Sequence, residues 1–455
     1  MSRDASRAIQ RRHLAPKSVV SEISIVLAVM LLGLFAGSAA QGENWPQWRG
    51  PNLDGSSAES PLPLTWNTED GKADGVIVWK AEMPARGAAT PIIWEDHIFL
   101  NVGREPEQDD KLELWALDRK SGKVLWQRPL SAGNILSYKQ HMSTPSPVTD
   151  GKTVWVMTGT GILKAFDFDG KELWTRDLQA DYGAFGLQWG YASSPLLYDG
   201  ALFVQVLHGM KTDDPSYVLR IDPATGKTTW RVERPTDAVK ESPDSYATPM
   251  VLRDGDQAEI LITGGDVLTG HDPKTGKELW RVGDLNPQDS PMQRLVASPV
   301  VAGDRIFAFG KRGPILAFER GGAASPTAIW AKEKGTDVPT PVTDGEYLYV
   351  INDKGVAWCI EIASGEVKWG PERLKVGTYS GSPVIADGKI YIANEDGVTS
   401  VLRAAPKFEI LAENSVNGYV LSSLAIAHGQ IFLRTDKYLY AIGKVEAKEE
   451  TASGR

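Results

Sequence analysis

From residue 76 to residue 443, apolar residues come in short runs rich in β-branched and aromatic types, alternating with turn dipeptides at spacings too short for helices. Val154-Trp155-Val156-Met157 and Leu348-Tyr349-Val350-Ile351 are apolar at every position rather than at every second one. Such runs predict strands covered on both sheet faces. Asp150-Gly151, Asp199-Gly200, Asp344-Gly345 and Asp387-Gly388 suit a tight first hairpin, and Ser121-Gly122, Thr225-Gly226, Thr275-Gly276 and Ser364-Gly365 a last one.

The strands are written in copies. The fullest begins at Ser146-Pro147, turns at Asp150-Gly151, breaks at Gly159, turns again at Asp169-Gly170 and closes on Leu173-Trp174. Related openings stand at Thr90-Pro91, Ser194-Pro195, Thr248-Pro249, Ser298-Pro299, Thr340-Pro341 and Ser382-Pro383, with a degenerate one at Ser422-Ser423-Leu424. The mean period of about 48 residues lies among those of propeller repeats. Four short strands per copy, covered on both sides, predict radially stacked blades, so the fold class is all-β: an eight-bladed β-propeller of four-stranded antiparallel blades. Trp126, Trp174, Trp230, Trp280, Trp330 and Trp369 end successive copies, whereas Val76-Ile77-Val78-Trp79 precedes the first opening and the eighth copy lacks its last strand. The amino-terminal strand is therefore expected to complete the last blade and remove an open edge. The propeller spans 76–445, a Trp-rich extension 41–75, and a charged tail, expected to be disordered, 446–455.

Composition changes the picture at the amino terminus. Arg3, Arg7, Arg11, Arg12 and Lys17 precede an apolar run from Ile23 to Phe35 and the small residues Gly37-Ser38-Ala39-Ala40. That order reads as a signal peptide, 1–40, cleaved near Ala40, with an uncleaved anchor as the alternative. The protein is then periplasmic or secreted, with no transmembrane span after cleavage, and it is expected to be a monomer. The net charge of −9 argues against nucleic acid. The single cysteine, Cys359, excludes a disulfide scaffold and a dithiol pair, and reads as a buried thiol.

The phrase Ala116-Leu117-Asp118-Arg119-Lys120-Ser121-Gly122, closing on Trp126, resembles the tryptophan-docking repeat of the pyrroloquinoline quinone (PQQ) propellers. Asp222 to Trp230 and Asp272 to Trp280 are further copies. The resemblance covers roughly residues 76–443 and implies that Trp79, Trp126, Trp174, Trp230, Trp280, Trp330 and Trp369 are structural, each packed on the neighbouring blade with its N–H on a carbonyl. Two kinds of relative matter. Quinoprotein alcohol dehydrogenases hold PQQ over calcium beside an adjacent Cys-Cys disulfide, which one cysteine cannot form. The BamB-like exported propellers are binding scaffolds without a cofactor, and the length fits them better, although the usual lipoprotein cysteine is missing. Asn44-Trp45-Pro46-Gln47-Trp48-Arg49-Gly50 looks like the opening of many exported proteins of this superfamily and either packs across the propeller or caps its channel.

The loops that lead into the copies carry polar and aromatic residues, and in a propeller they share one rim. His141, Gln188, Trp189, Tyr191, Tyr246, Arg294, Asp337, Tyr379 and Tyr419 are the candidate binding residues. Any one of them also serves to fill space between blades, but convergence at one mouth favours binding for the set. Asp167-Phe168-Asp169-Gly170 lacks calcium-loop spacing and reads as a hairpin. His141, His208, His271 and His428 fall in different copies, so no metal is expected. The expected function is a non-catalytic scaffold without cofactor for an envelope protein or polymer; a PQQ- and calcium-dependent dehydrogenase and a polysaccharide-binding propeller are the alternatives.

Overall fold

A computed structural model describes residues 42–66, 75–105, 107, 109–254, 257–320 and 325–444; the signal peptide and tail expected from the sequence lie outside the described residues. The strands form eight four-stranded antiparallel sheets. Blade 1 comprises Ile92–Trp94, His97–Gly103, Leu112–Asp118 and Val124–Ser131. The innermost strands of blades 2 to 7 begin at Val148, Leu196, Met250, Val300, Val342 and Val384. Blade 8 takes Ala425–Ala427, Gln430–Arg434 and Tyr438–Gly443 from the end of the chain and its outermost strand, Val76–Glu82, from the beginning. That strand runs antiparallel to Tyr438–Gly443 from Val76 opposite Gly443 to Glu82 opposite Tyr438. The closure expected from the unpaired Val76-Ile77-Val78-Trp79 is the one observed.

Two concentric sets of contacts hold the blades to one another. On the outside, each docking tryptophan reaches the last hairpin of the next blade. Nε1 donates from Trp79 to Arg119 O (2.7 Å), from Trp126 to Phe168 O (2.8 Å), from Trp174 to Pro223 O (2.9 Å) and from Trp230 to Pro273 O (3.2 Å). Trp330 and Trp369 do the same to Ile362 O and Ala405 O. The Thr-Gly of the motif is what lets the ring approach. Gly226 sits at φ +70°, and a Cβ there would lie 2.7 Å from Trp174. The Asp three residues before the Thr folds the hairpin, as Asp272 Oδ1 accepts from Lys274 N and Thr275 N (2.8 and 2.7 Å). Trp280 departs from the pattern: its indole donates inside its own blade to Glu259 Oε2, and Glu259 is paired with the buried Arg320.

On the inside, the Ser or Thr before each innermost strand forms a belt. The backbone N–H of Thr90 donates to Ser146 Oγ (2.9 Å), Ser146 to Ser194 (3.0 Å), Ser194 to Thr248 Oγ1 (3.1 Å) and Thr248 to Ser298 (2.9 Å). The chain continues from Ser298 to Thr340 (3.0 Å), Thr340 to Ser382 (2.9 Å) and Ser382 to Ser423 (2.9 Å). Each hydroxyl satisfies an amide that lies just before the innermost strand, outside its ladder, at the crowded axis. The belt opens at the seam between blades 8 and 1, where Thr90 Oγ1 is buried without a hydrogen-bond partner among the described residues.

Residues 42–66 form a strap across one end of the channel, on the side of the first hairpins. Trp45 pairs with Ile93 of blade 1 in both directions (2.9 Å each), Thr149 N of blade 2 donates to Pro46 O, and Gln47 bonds both backbone groups of Leu197 in blade 3. Arg49, only 2% exposed, then crosses to Pro383 O (2.7 Å) and Pro341 O (2.9 Å) in blades 7 and 6. Glu59 accepts from His428 N and Gly429 N of blade 8. Of the two arrangements open from the sequence, the strap caps the channel.

Replacing Thr248 by Val keeps the shape but leaves the buried Ser194 N–H without its acceptor, and should lower stability by roughly 1–3 kcal/mol. Thr248→Ser should retain most of it. Urea unfolding of the three proteins measures this, and equal midpoints for the Val and Ser variants would remove the belt as a stabilising element.

Candidate functional site

The belt and the strap together make the channel a blind well. Trp48 lies at its floor, and the hydroxyl-bearing residues Ser146, Ser194, Thr248, Thr340, Ser382 and Ser423 ring its wall. The cavity is about 590 Å³ and opens toward the loops that lead into the blades. This is the size and concavity of small-molecule sites.

The mouth is built from loops of unequal depth. Before blade 2, Leu136–Ser137 and Gln140–His141 form a small hairpin whose tip carries Tyr138 and Lys139. Lys139 reaches across to Glu395 in the mid-blade turn of blade 7. Glu395 is buried and also accepts from Ser380 Oγ and from the Tyr419 hydroxyl. One carboxylate thus ties three loops together. On the other side, Trp189 Nε1 donates to the buried Glu241 (2.7 Å), and its backbone N–H donates to the Tyr246 hydroxyl (3.1 Å). Asp244 accepts from Gln188 N, Gly209 N and Met210 N (2.7, 2.9 and 3.1 Å). Burial nevertheless pushes its carboxyl up to about 6, against the pull of those three donors.

Of the nine residues singled out in the sequence, the fold brings Trp189, Tyr246, Arg294 and Tyr379 into the cavity wall. Gln188, Asp337 and Tyr419 stand behind it: Asp337 near Arg294, Gln188 on Asp244 and Tyr419 on Glu395. His141 and Tyr191 are enclosed. Tyr191 packs with Phe185 at 5.0 Å in the core shared by blades 2 and 3, and its hydroxyl has no partner among the described residues. His141 Nδ1 meets Ser143 Oγ at 2.8 Å, and burial, with Arg434 and Arg86 nearby, drives its pKa down to about 3. Sequence reasoning missed Trp48, Lys139, Asp353 and Glu395; the last two belong to polar mid-blade turns whose Asn-x-x-Gly pattern explains them as hairpins. The recurrent Ser/Thr before Pro was the available signal for the wall.

Among the described residues no three His, Cys, Asp or Glu side chains come together as a metal-binding group. Cys359 is buried in blade 6, its thiol pushed up to about 12 by burial.

His141 gives a pH signature. A histidine near 6.5 in the unfolded chain and near 3 in the fold stabilises the protein above pH 6.5, and that stabilisation is lost progressively as pH falls toward 3. Between pH 7 and 5 the native protein should lose up to about 2 kcal/mol more than His141→Gln does. Denaturant unfolding at the two pH values measures the difference, and identical losses would mean that His141 does not titrate abnormally.

A family model described as "Outer membrane protein assembly factor BamB" matches this chain over residues 68–184 and 116–371. The outer membrane protein assembly factor BamB of Bordetella pertussis is 25% identical over 312 residues, covering 67% of this chain and 71% of that protein. Among solved structures, BamB from Moraxella catarrhalis superposes with a TM-score of 0.60 at 16% identity, over 81% of this chain and 99% of its own. Quinohemoprotein alcohol dehydrogenase from Comamonas testosteroni superposes with a TM-score of 0.64 at 12% identity, over 90% of this chain and 82% of its own. At such identities the two structures speak for the fold alone, and it is the sequence match across most of the blades that decides the family: the chain belongs to the BamB family of PQQ-like repeat β-propellers.

Proposed function

We propose that this chain is an exported, non-catalytic scaffold of the cell envelope that presents its channel mouth to a partner protein during outer-membrane protein assembly. One observation carries the reading: large apolar side chains stand exposed at the tips of the mouth loops. Tyr138 and Val376 are each 77% exposed, and Ile135, Leu136, Val239 and Met292 join them from the loops before blades 2, 4 and 5. Apolar tips gathered around a polar, rigid rim are the signature of a protein-binding surface rather than of a free one. The opposite face is occupied by the strap. The ties of the rim loops to Glu395, Glu241 and Asp244 support preorganisation, which lowers the entropic cost of association. The names of the sequence relatives, assembly factors of outer membrane proteins, supply the class of partner, and the amino-terminal Arg-rich and apolar segments support export to the periplasm. Among the described residues no helix is long and apolar enough to cross a membrane.

Tyr138→Glu and Val376→Glu place charges on exposed tips and should leave the thermal midpoint unchanged while abolishing co-purification of the envelope partner that the native protein retains. Retention by both variants would move the binding surface elsewhere. Titration with PQQ, with and without calcium, should give no saturable quenching of tryptophan fluorescence; calcium-dependent saturation would overturn the non-catalytic reading.

A further inference from the structure

We propose that the well beneath the mouth is a receptor for an acidic saccharide, with Arg294 and Arg312 taking its carboxylate and the hydroxyl belt taking its oxygens. The proposal goes beyond the scaffold reading and stands on separate observations.

The first is an uncommitted pair of guanidinium groups. Arg294 and Arg312 both line the cavity. Arg294 Nη2 and Arg312 Nε converge on the same atom, Asp337 Oδ2, each at 3.7 Å, and Arg294 Nε stands 3.7 Å from Glu241 Oε1. These distances exceed hydrogen-bond reach. The acids therefore hold the two forks in place and offset their charge without occupying their donors, which leaves a planar, bidentate site for a carboxylate.

The second is the direction in which the belt hydroxyls can still act. The six that line the well each accept an amide N–H from the neighbouring blade, and none donates its own proton to a described group. What they offer the lumen is a ring of O–H donors. Of the ionisable groups in the lining other than tyrosine, Lys139, Arg294 and Arg312 are cationic and Asp353 alone is acidic. Lys139 is already paired with Glu395, so it is the two guanidinium groups that favour a negatively charged ligand, and the ring of hydroxyls one rich in acceptor oxygens. The third observation is aromatic: Trp48 at the floor and Trp189 and Tyr246 on the side give apolar faces for the C–H surfaces of a sugar ring. A uronic-acid disaccharide meets all three demands within about 590 Å³, whereas a bare carboxylate meets only the first.

The test titrates the full chain with digalacturonic acid, following tryptophan fluorescence and heat, beside a neutral disaccharide of equal size and sodium acetate. Saturable binding of the diuronate is expected, at least about tenfold tighter than either comparison compound, and weakened about tenfold by Arg294→Gln or Arg312→Gln. Arg312 is 65% exposed, so its variant should fold even if the other does not. No saturable binding of the diuronate, equal affinity for the neutral sugar or for acetate, or an Arg312→Gln protein that binds unchanged would each overturn the proposal.

Discussion

The amide of one blade donating to the hydroxyl of the next, at the axis, is the interaction on which the architecture turns. A propeller blade is narrowest where its innermost strand starts, and there the chain must enter from a loop, in seven blades through a proline, and still satisfy the N–H just before the strand. A hydroxyl from the adjacent blade solves this with the shortest polar side chain available. Because its oxygen is engaged as an acceptor and the residue lines the channel, the same atom that joins two blades also sets the polarity of the channel wall. The outer ring of indoles works at the widest part of the blades, where a large side chain is needed to span the gap.

Between these rings the interior carries arginines rather than only hydrocarbon. Arg49, Arg234 and Arg434 are fully enclosed, and burial lowers them to about 10, 9 and 9. Their forks engage main-chain carbonyls. Arg234 holds Gly264 O and Val267 O (both 2.9 Å) around a hairpin, and Arg434 holds Asn101 O (2.9 Å) across the seam between blades 8 and 1. Bonding these carbonyls, at the prolines before two blades, around a hairpin and in the strand His97–Gly103, offsets part of a desolvation that no apolar residue would incur. Arg49 does this for the strap, and so makes the floor of the well part of the ring's own bonding.

What repeats was legible. Four strands per copy, eight copies, the docking tryptophans and the closing strand all follow from local patterns that the chain states several times over. What occurs once was not. Trp280 turns away from its neighbour because Glu259, a lone acid in an apolar strand, offers a nearer and stronger acceptor and is itself held by Arg320. Arg49 meets carbonyls nearly three hundred residues or more away, a contact that no periodicity announces. The rim loops look alike in the sequence, yet their depth depends on how each folds. The hairpin over Leu136–Ser137 and Gln140–His141 lifts Tyr138 into solvent and leaves His141 beneath it, while Tyr191 follows its loop into the core and Tyr246 stops at the wall.

The shared last blade also has a temporal meaning. Val76–Glu82 leaves the ribosome and crosses any export channel before the rest of the ring, but its hydrogen-bonding partner, Tyr438–Gly443, follows about 360 residues later. Until then one strand waits with both edges bare while seven blades accumulate against each other, and the final pairing must close nearly the whole chain into a loop. Completion of the fold is therefore a terminal event, and the interval before it is when this polypeptide is most exposed to aggregation and most in need of a chaperone.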